Sequence, residues 1–257
     1  MIPDAEFLDF IHNGSERYLT HLSVDCVVFG FHDNQLKLLL TKVINLGQWS
    51  LPGGFIRKEE SVDMAAKRIL RERTCLEDIF LEQFKVFGSV DRNNTPDTKR
   101  IVQAIDKNIT ENNWLLQRMV SMGYYALVDI EKVTPTPDTL SEECRWWELT
   151  ALPPLLFDHT DIVKDALKAL RQHLANKPIG FNLLPEKFTM TELRRLYETI
   201  LGRPIDRGNF EKKMLKLGIL ERLDEVKSNV TYKAPFLYRF NTAKYQELLE
   251  ADAGFGF

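Results

Sequence analysis

Short apolar runs alternate along the chain with segments in which apolar residues recur every three or four positions. Residues 22–31 and 36–43 are rich in β-branched and aromatic side chains, and the polar residues 32–34 lie between them. This pattern predicts two buried strands joined by a turn. Further strands are predicted at 80–90, 118–129 and 144–149.

Two segments of the first half have helical periodicity. Ser61 precedes apolar residues at three- and four-residue spacing, which predicts a helix over 61–73 whose first turn is capped by the Ser61 hydroxyl. Residues 161–174 show the same spacing. Strands that alternate with two helices predict an α/β sandwich, and the helix breakers in NKPIG at 176–180 mark its end.

The C-terminal part predicts two helices joined by a tight turn. Thr189 and Glu192 have the spacing of a capping box, and the helix that they begin should end at Gly202. Asp206 is a suitable cap for a second helix, which Gly218 should stop. A helix-turn-helix follows from these signals.

A hairpin completes this C-terminal unit. Residues 219–223 and 230–240 predict two strands, with turn-forming residues at 224–229. The fold class is therefore α+β, with a mixed sheet in the N-terminal sandwich and a C-terminal winged helix-turn-helix. The predicted division is a domain over 1–175, a linker over 176–187 and a winged helix over 188–257.

Composition adds an electrostatic asymmetry. The 257 residues are 44% hydrophobic and 28% charged, as in an ordinary globular protein, and the net charge is −3. Residues 185–240 nevertheless carry 12 Lys and Arg against 8 Asp and Glu. A basic C-terminal part on an acidic body indicates that this part meets a polyanion.

The second helix offers a face suited to DNA. Asn can hydrogen-bond adenine, Lys can read guanine, and basic side chains hold phosphate oxygens. The predicted DNA contacts are Arg207, Asn209, Lys212, Lys213, Lys216, Lys227, Lys233 and Arg239. The alternative is a solvated helix face without a partner.

Neither a leader nor a membrane span is predicted. The N-terminus lacks a basic segment before an apolar core, and no apolar run approaches the ~18 residues that a span needs. Cys26, Cys75 and Cys144 are odd in number and lack metal-ligand spacing, so reduced thiols are expected rather than a disulfide or zinc site. We expect a cytoplasmic protein.

The most informative segment is Trp49–Leu76, which reads WSLPGGFIRKEESVDMAAKRILRERTCL. It resembles the Nudix box. The matching positions are Gly54, Glu60, Arg68, Leu70, Glu72 and Leu76. The departures are Ile69 and Arg73, where the family has glutamates, and Cys75, where it has glycine.

These departures change the expected chemistry. In the family, carboxylates at the positions of Ile69, Glu72 and Arg73 would share one helix face and bind a divalent cation. Here the three positions sum to zero charge, which disfavours Mg²⁺ or Mn²⁺ and the metal-assisted attack of water. We expect no bound metal or cofactor, no catalytic residue, and weak or absent hydrolysis, with Glu60, Arg68 and Glu72 as remnants.

The whole chain is similar to the Nudix-related transcriptional regulators, which include ADP-ribose-responsive repressors and sugar-responsive arabinose regulators. The likeness rests on FTMTELRRLYETILGRPIDRGNFEKKMLKLGIL, FGSVDR and LPPLLFDHTDIVKDAL, while YLTHLSVDCVVFGF is closer to the sugar-responsive branch. It implies a homodimer that binds a palindromic DNA operator and a small effector, either a pentose such as L-arabinose or an ADP-ribose-like metabolite. Glu211 and the long insertion at 93–117 depart from the pattern.

Effector contacts are predicted at Asp25, Trp49, Asp91 and Arg92. These side chains offer carboxylate, guanidinium and stacking groups suited to hydroxyls, although each residue type serves equally in packing or in a surface ion pair. Capping or packing is the expected role of His159. Two alternatives remain: a hydrolase of nucleoside-diphosphate sugars such as ADP-ribose, and an interaction adaptor.

Overall fold

The chain divides into two compact units in a computed structural model, which describes residues 5–44, 46–77, 79–92, 109–110, 112–176, 183–227 and 234–250. One unit contains Met1–Phe29 and Lys37–Ala166, and the other contains Gly30–Leu36 and Leu167–Phe257. Most of the 93–117 insertion, part of the predicted linker, and Lys233 lie outside the described residues. Among the described residues, no helix is both long and apolar enough to span a membrane.

A seven-stranded sheet forms the body of the first unit. Its strands are β1 (Tyr18–His32), β2 (Gln35–Val43), β3 (Trp49–Ser50), β4 (Gly53–Arg57), β5 (Phe80–Phe87), β6 (Val120–Val128) and β7 (Ser141–Glu148). Five strands lie in the order β3-β2-β1-β6-β5, while β4 pairs with β1 and β7 with β2. The five strands expected from the sequence are confirmed, whereas β3 and β4 lie in a segment for which no strand was predicted.

Helix α2 (Val62–Thr74) packs on this sheet. Its N-cap is Ser61, whose hydroxyl accepts from the Met64 amide at 3.2 Å, as predicted. The buried side chains of Ile69 and Leu70 belong to a core cluster with residues of β1, β2, β4 and β6. The apolar spacing that predicted the helix is therefore the spacing that joins it to the sheet.

Helix α1 (Ala5–Arg17) was not predicted from the sequence. It is held by Trp114, whose indole Nε1 donates to the Ile11 carbonyl oxygen at 3.0 Å. The ring lies so close to Gly14 that a Cβ there would be 2.3 Å from Trp114 Cζ2. This contact joins residues a hundred positions apart. The sequence pattern within α1 therefore gave no sign of the packing that holds the helix in place.

The boundary between the units crosses two continuous elements. Helix α3 (His159–Asn176) begins in the first unit and ends in the second. The turn between β1 and β2, with Asp33 and Asn34 at positive φ, also belongs to the second unit. These angles are those of a two-residue hairpin turn, which Asp and Asn tolerate.

The second unit is a helix-turn-helix with a β-hairpin. Its elements are β8 (Phe188–Thr189), α4 (Met190–Leu201), α5 (Arg207–Lys216), β9 (Leu220–Val226), β10 (Phe236–Phe240) and α6 (Thr242–Glu250). The capping box of Thr189 and Glu192 is present, Gly202 ends α4 at φ 68°, and Asp206 caps α5. The three strands lie in the order β8-β10-β9. Helix-turn-helix and hairpin are confirmed; α6 was not predicted.

Candidate functional site

The first unit contains a cavity of about 220 Å³. Its walls come from α1, from strands β1, β2, β3, β4 and β7, and from the start of α3, together with residues between these elements. Gly53 allows the wall to close, because a Cβ there would lie 2.8 Å from Asp25 Oδ1 and 2.9 Å from the Val24 carbonyl oxygen. Two groups of side chains line the cavity, one charged and one aromatic.

The charged group brings together Asp25 and Arg92, two of the four predicted effector residues. Both are buried, and Arg92 Nη2 donates to Asp25 Oδ2. A second carboxylate, Asp158, has its Oδ1 3.4 Å from the same Arg92 nitrogen. Burial raises the pKa of Asp158. Burial also opposes the ionisation of Asp25, but the charge and hydrogen bond of Arg92 outweigh it, and the pKa of Asp25 is lowered.

His159 completes this group as a neutral imidazole. Its Nδ1 accepts from the Leu51 amide at 3.0 Å and therefore carries no proton. The remaining proton is on Nε2, which lies 3.5 Å from Asp25 Oδ1. Burial lowers the pKa of His159, in agreement with this tautomer. The packing role expected for His159 holds, and its position beside Asp25 was not foreseen.

Trp49 and Asp91 do not line the cavity. Trp49 is buried edge-on against Trp147, with ring centroids 5.1 Å apart, and the guanidinium of Arg145 stacks on both rings. Asp91 is exposed. The structure thus brings two of the four predicted effector residues together and places the other two elsewhere.

The aromatic group was missed in the sequence. Phe10 of α1 and Phe55 of β4 line the cavity, with ring centroids 5.8 Å apart. Trp114 packs edge-on against Phe55 at 4.7 Å and stacks parallel to Tyr18 at 6.2 Å. The group depends on α1 and on the insertion, neither of which gives a local signal for it.

The Nudix-like residues form an ion-pair network in which Glu60 and Arg68 are half-buried and Glu72 is exposed. Arg68 donates to the Phe55 carbonyl oxygen at 2.9 Å and to Glu60 Oε1 at 2.6 Å. Glu72 Oε1 accepts more weakly from Arg68 Nη1, at 3.4 Å. Burial opposes ionisation of Glu60, but hydrogen bonds from Arg68 and from the Arg57 amide outweigh it, and its pKa is lowered.

Two of the three departures from the Nudix pattern, Ile69 and Arg73, are buried, whereas Cys75 is exposed. Ile69 packs beneath Gly54, where a Cβ would meet its Cδ1 at 3.1 Å. Arg73 is 4% exposed and forms an ion pair with Asp138, a residue of the cavity wall. Within the described ranges no group of three or more His, Cys, Asp or Glu side chains could hold a metal ion. Ile69 and Arg73 supply no oxygen ligand at the two positions where the Nudix pattern has glutamates, so they do not fit a divalent cation there.

Helix α5 presents polar side chains as predicted. Arg207, Asn209, Lys212 and Lys216 are exposed, while Phe210 and Met214 are buried on the opposite face. Lys213 is half-buried, and burial lowers its pKa.

Two of the predicted hairpin contacts, Lys227 and Arg239, have charges that are already paired. The Lys227 ammonium pairs with Glu192, and Arg239 Nε donates to Glu221 Oε2 at 2.8 Å. Both pairs lie at the surface, where such interactions are weak.

Comparisons with known proteins assign a family to each unit. Residues 19–170 match the NUDIX domain, and residues 180–240 match the NrtR DNA-binding winged helix domain. The ADPR responsive transcriptional repressor NtrR of Acinetobacter baylyi is 30% identical over 232 residues, covering 87% of this chain and 83% of that protein. An ADP-ribose pyrophosphatase of Methanocaldococcus jannaschii is 28% identical over 156 residues, 60% of this chain and 79% of that protein.

Solved structures agree with these matches. The crystal structure of Shewanella oneidensis NrtR complexed with a 27mer DNA superposes with a TM-score of 0.69 at 28% identity, covering 88% of this chain and 95% of that chain. A MutT/nudix family protein from Enterococcus faecalis has a TM-score of 0.62 at 23% identity, with coverages of 92% and 93%. The second likeness concerns the fold alone.

Proposed function

This chain belongs to the Nudix family and is homologous to NrtR, and from that premise we propose that it is a DNA-binding transcriptional repressor that responds to a small ligand. The observation that carries the proposal is the second unit. It combines a match to the NrtR DNA-binding winged helix with a helix α5 whose exposed face carries Arg207, Asn209, Lys212 and Lys216. A DNA-binding regulator acts in the compartment that holds the DNA, which supports a cytoplasmic location.

In this proposal α5 is the recognition helix. Recognition helices place their N-terminal residues at base edges in the major groove. Asn209 in the first turn is suited to adenine, while Lys212 and Lys216 neutralise phosphates. Lys227 and Arg239 contribute less to DNA affinity, because each must break an ion pair with a glutamate before it can bind a phosphate. A homodimer would present two such helices to a palindromic operator.

We place the effector in the cavity beside Asp25. Ligand sites for drug-sized molecules measure roughly 300–1,000 Å³, so a cavity of about 220 Å³ suits a monosaccharide-sized group. Asp25 accepts hydroxyl hydrogens, and Arg92 donates to ring and hydroxyl oxygens. The proposed occupant is therefore a pentose ring, with Phe10 and Phe55 packed on its apolar face.

Two sources could supply that ring. The relatives named for ADP-ribose point to its terminal ribose, with the remainder of the molecule outside the cavity. A free pentose such as L-arabinose would fill the cavity alone. The two sources share the contacts to Asp25 and Arg92, and a binding experiment separates them.

A hydrolase of ADP-ribose is the second candidate, favoured by the pyrophosphatase relative. The side chains at two glutamate positions of the Nudix pattern argue against it. Ile69 has no atom that can bind a metal ion. Arg73 places a positive charge where the family has a glutamate, and this charge is paired with Asp138. We therefore propose that ADP-ribose, if bound, is not cleaved. Release of AMP that requires Mg²⁺ and is lost in Glu72→Gln would establish the hydrolase instead.

The test is fluorescence anisotropy of the full chain with labelled DNA from upstream of its own gene, compared with a scrambled duplex. ADP-ribose, D-ribose and L-arabinose are added in separate titrations. Specific binding that one ligand weakens or strengthens supports the proposal and identifies the source of the pentose. Equal binding to both duplexes, unaffected by any ligand, would reject it.

A further inference from the structure

The C-terminal end of α4 is held by a side chain of α3. Arg171 Nε donates to the Ile200 carbonyl oxygen at 2.7 Å, and its Nη2 lies beside Gly202, 3.4 Å from the position that a Cβ would take. The last carbonyls of a helix have no partner within the helix and carry partial negative charge. A guanidinium at this place therefore stabilises α4 and fixes its position on α3.

A second contact reaches the same turn of α4 from the β1–β2 hairpin. Thr199 Oγ1 lies 3.1 Å from the Asn34 carbonyl oxygen and 2.8 Å from the Arg195 carbonyl oxygen. The hydroxyl has one hydrogen to share between these acceptors, and Thr hydroxyls in helices commonly donate to the carbonyl four residues earlier. The hairpin contact is thus the weaker of the two.

Both contacting elements also contribute residues to the cavity wall. Helix α3 begins with His159, which faces Asp25, and Arg171 follows twelve residues later, about 18 Å along a helix. Strand β1 carries Asp25 itself and continues to the hairpin turn. Each path is one continuous secondary-structure element.

Helix α4 is in turn tied to the turn before α5. Glu198 Oε1 accepts from the Ile205 amide at 2.9 Å, and Arg194 donates to the same carboxylate oxygen at 2.6 Å. A displacement of the end of α4 would therefore reach the first residues of α5, where Arg207 and Asn209 lie.

We propose that Arg171 is the residue that couples ligand binding in the cavity to DNA binding by α5, with Thr199 as a secondary contact. The inference rests on the proposed function and adds to it the route of regulation. Arg171 contacts α4 and acts through it, so it is a positioning residue. A ligand that changes the position of His159 or Asp25 acts on α4 through α3 and the hairpin.

The experiment uses the full chain and three variants: Arg171→Gln, Thr199→Val, and Lys168→Gln as the control. Lys168 is exposed on the same helix, so its replacement removes the same charge. The ligand probe is whichever of ADP-ribose, D-ribose or L-arabinose changes DNA binding of the wild type. Ligand Kd without DNA, DNA Kd without ligand, and DNA Kd with saturating ligand are measured for each protein.

The coupling is the factor by which saturating ligand changes the DNA Kd, and allosteric couplings commonly amount to about 5- to 150-fold. In Arg171→Gln we expect this factor to fall at least about threefold, with the ligand Kd and the DNA Kd, each measured alone, within about twofold of wild type. Thr199→Val should show a smaller fall, and Lys168→Gln should keep the wild-type factor. If Arg171→Gln does not fold, by circular dichroism, Thr199→Val decides.

An unchanged coupling factor in the folded variants overturns the coupling role and leaves the proposed function intact. The wild-type measurement tests the proposed function. That function is rejected if none of the three ligands changes DNA binding of the wild-type protein. That result also removes the coupling. The two failures are distinguished by the protein in which they occur.

Discussion

Cys75 is one of the described residues other than glycine that have positive φ. It ends α2 in the left-handed conformation, at φ 57° and ψ 23°, where the Nudix pattern has glycine. A side chain with a Cβ destabilises this conformation by about 1–2 kcal/mol, whereas glycine adopts it freely.

Cys75→Gly should therefore stabilise the first unit by about 1 kcal/mol, which raises the Tm of a unit of this size by about 2–4 °C. Cys75→Ala is the matched control, since it removes the thiol but keeps the Cβ. Differential scanning calorimetry compares the three proteins. An equal Tm in the glycine and alanine variants would show that the conformation is not strained.

His159 should make stability depend on pH. Burial lowers its pKa, so the folded protein keeps it neutral while the unfolded chain takes up a proton below about pH 6.5. The unfolded state then binds more protons, and the free energy of unfolding falls as the pH falls below that value.

We expect urea denaturation between pH 7.5 and pH 5 to show this loss in the wild type and a smaller loss in His159→Gln. His32→Gln, at an exposed position, is the control. The same pH slope in wild type and His159→Gln would contradict the neutral assignment of His159.

At the scale of elements, the DNA-binding prediction concerns α5. Each phosphate that the protein no longer neutralises reduces the slope of log K against log salt by about 0.9. The double variant Lys212→Ala with Lys216→Ala should bind operator DNA more weakly and reduce the slope by about 1.8. Lys244→Ala removes an exposed lysine of α6 in the same unit and should leave the slope unchanged. A double variant with the wild-type slope would remove α5 from the interface.

Elements with local signals could be predicted from the sequence. Ser61, Thr189 and Asp206 each cap the helix expected of them, because capping depends on residues three positions apart. Helix α1 could not be placed, since its packing comes from Trp114 in the insertion. Strand β4 was not predicted, because its two glycines give no strand signal and its pairing with β1 is not local.

The cavity illustrates the same limit at the scale of the site. Asp25 and Arg92 were singled out for their chemistry, and they meet across 67 residues of chain. Trp49 has equally suitable chemistry, but the register of β2 with β3 and β7 carries it to Trp147 and Arg145 instead. The partner of Arg73, Asp138, is 65 residues away in a loop with no regular pattern. Whether a suitable residue reaches the cavity therefore depends on its contacts in the folded chain and not on its residue type.

At the scale of the whole molecule, the function that we propose follows from the presence of two different domains in one chain. The family matches place a NUDIX domain before a DNA-binding winged helix domain. The Nudix and winged-helix assignments made from the sequence are confirmed, because they depend on motifs that are contiguous in the chain. The proposed effector site draws on residues from many elements, so no contiguous motif of the chain could predict it.

The central claim is that effector and DNA binding are linked, and isothermal titration calorimetry tests it most directly. The active ligand is titrated into the full chain, first without DNA and then with saturating operator. Linkage requires the ligand Kd to change by the same factor by which the ligand changes the DNA Kd. We expect equal factors, about fivefold or more. A ligand Kd that is identical with and without DNA would contradict the account.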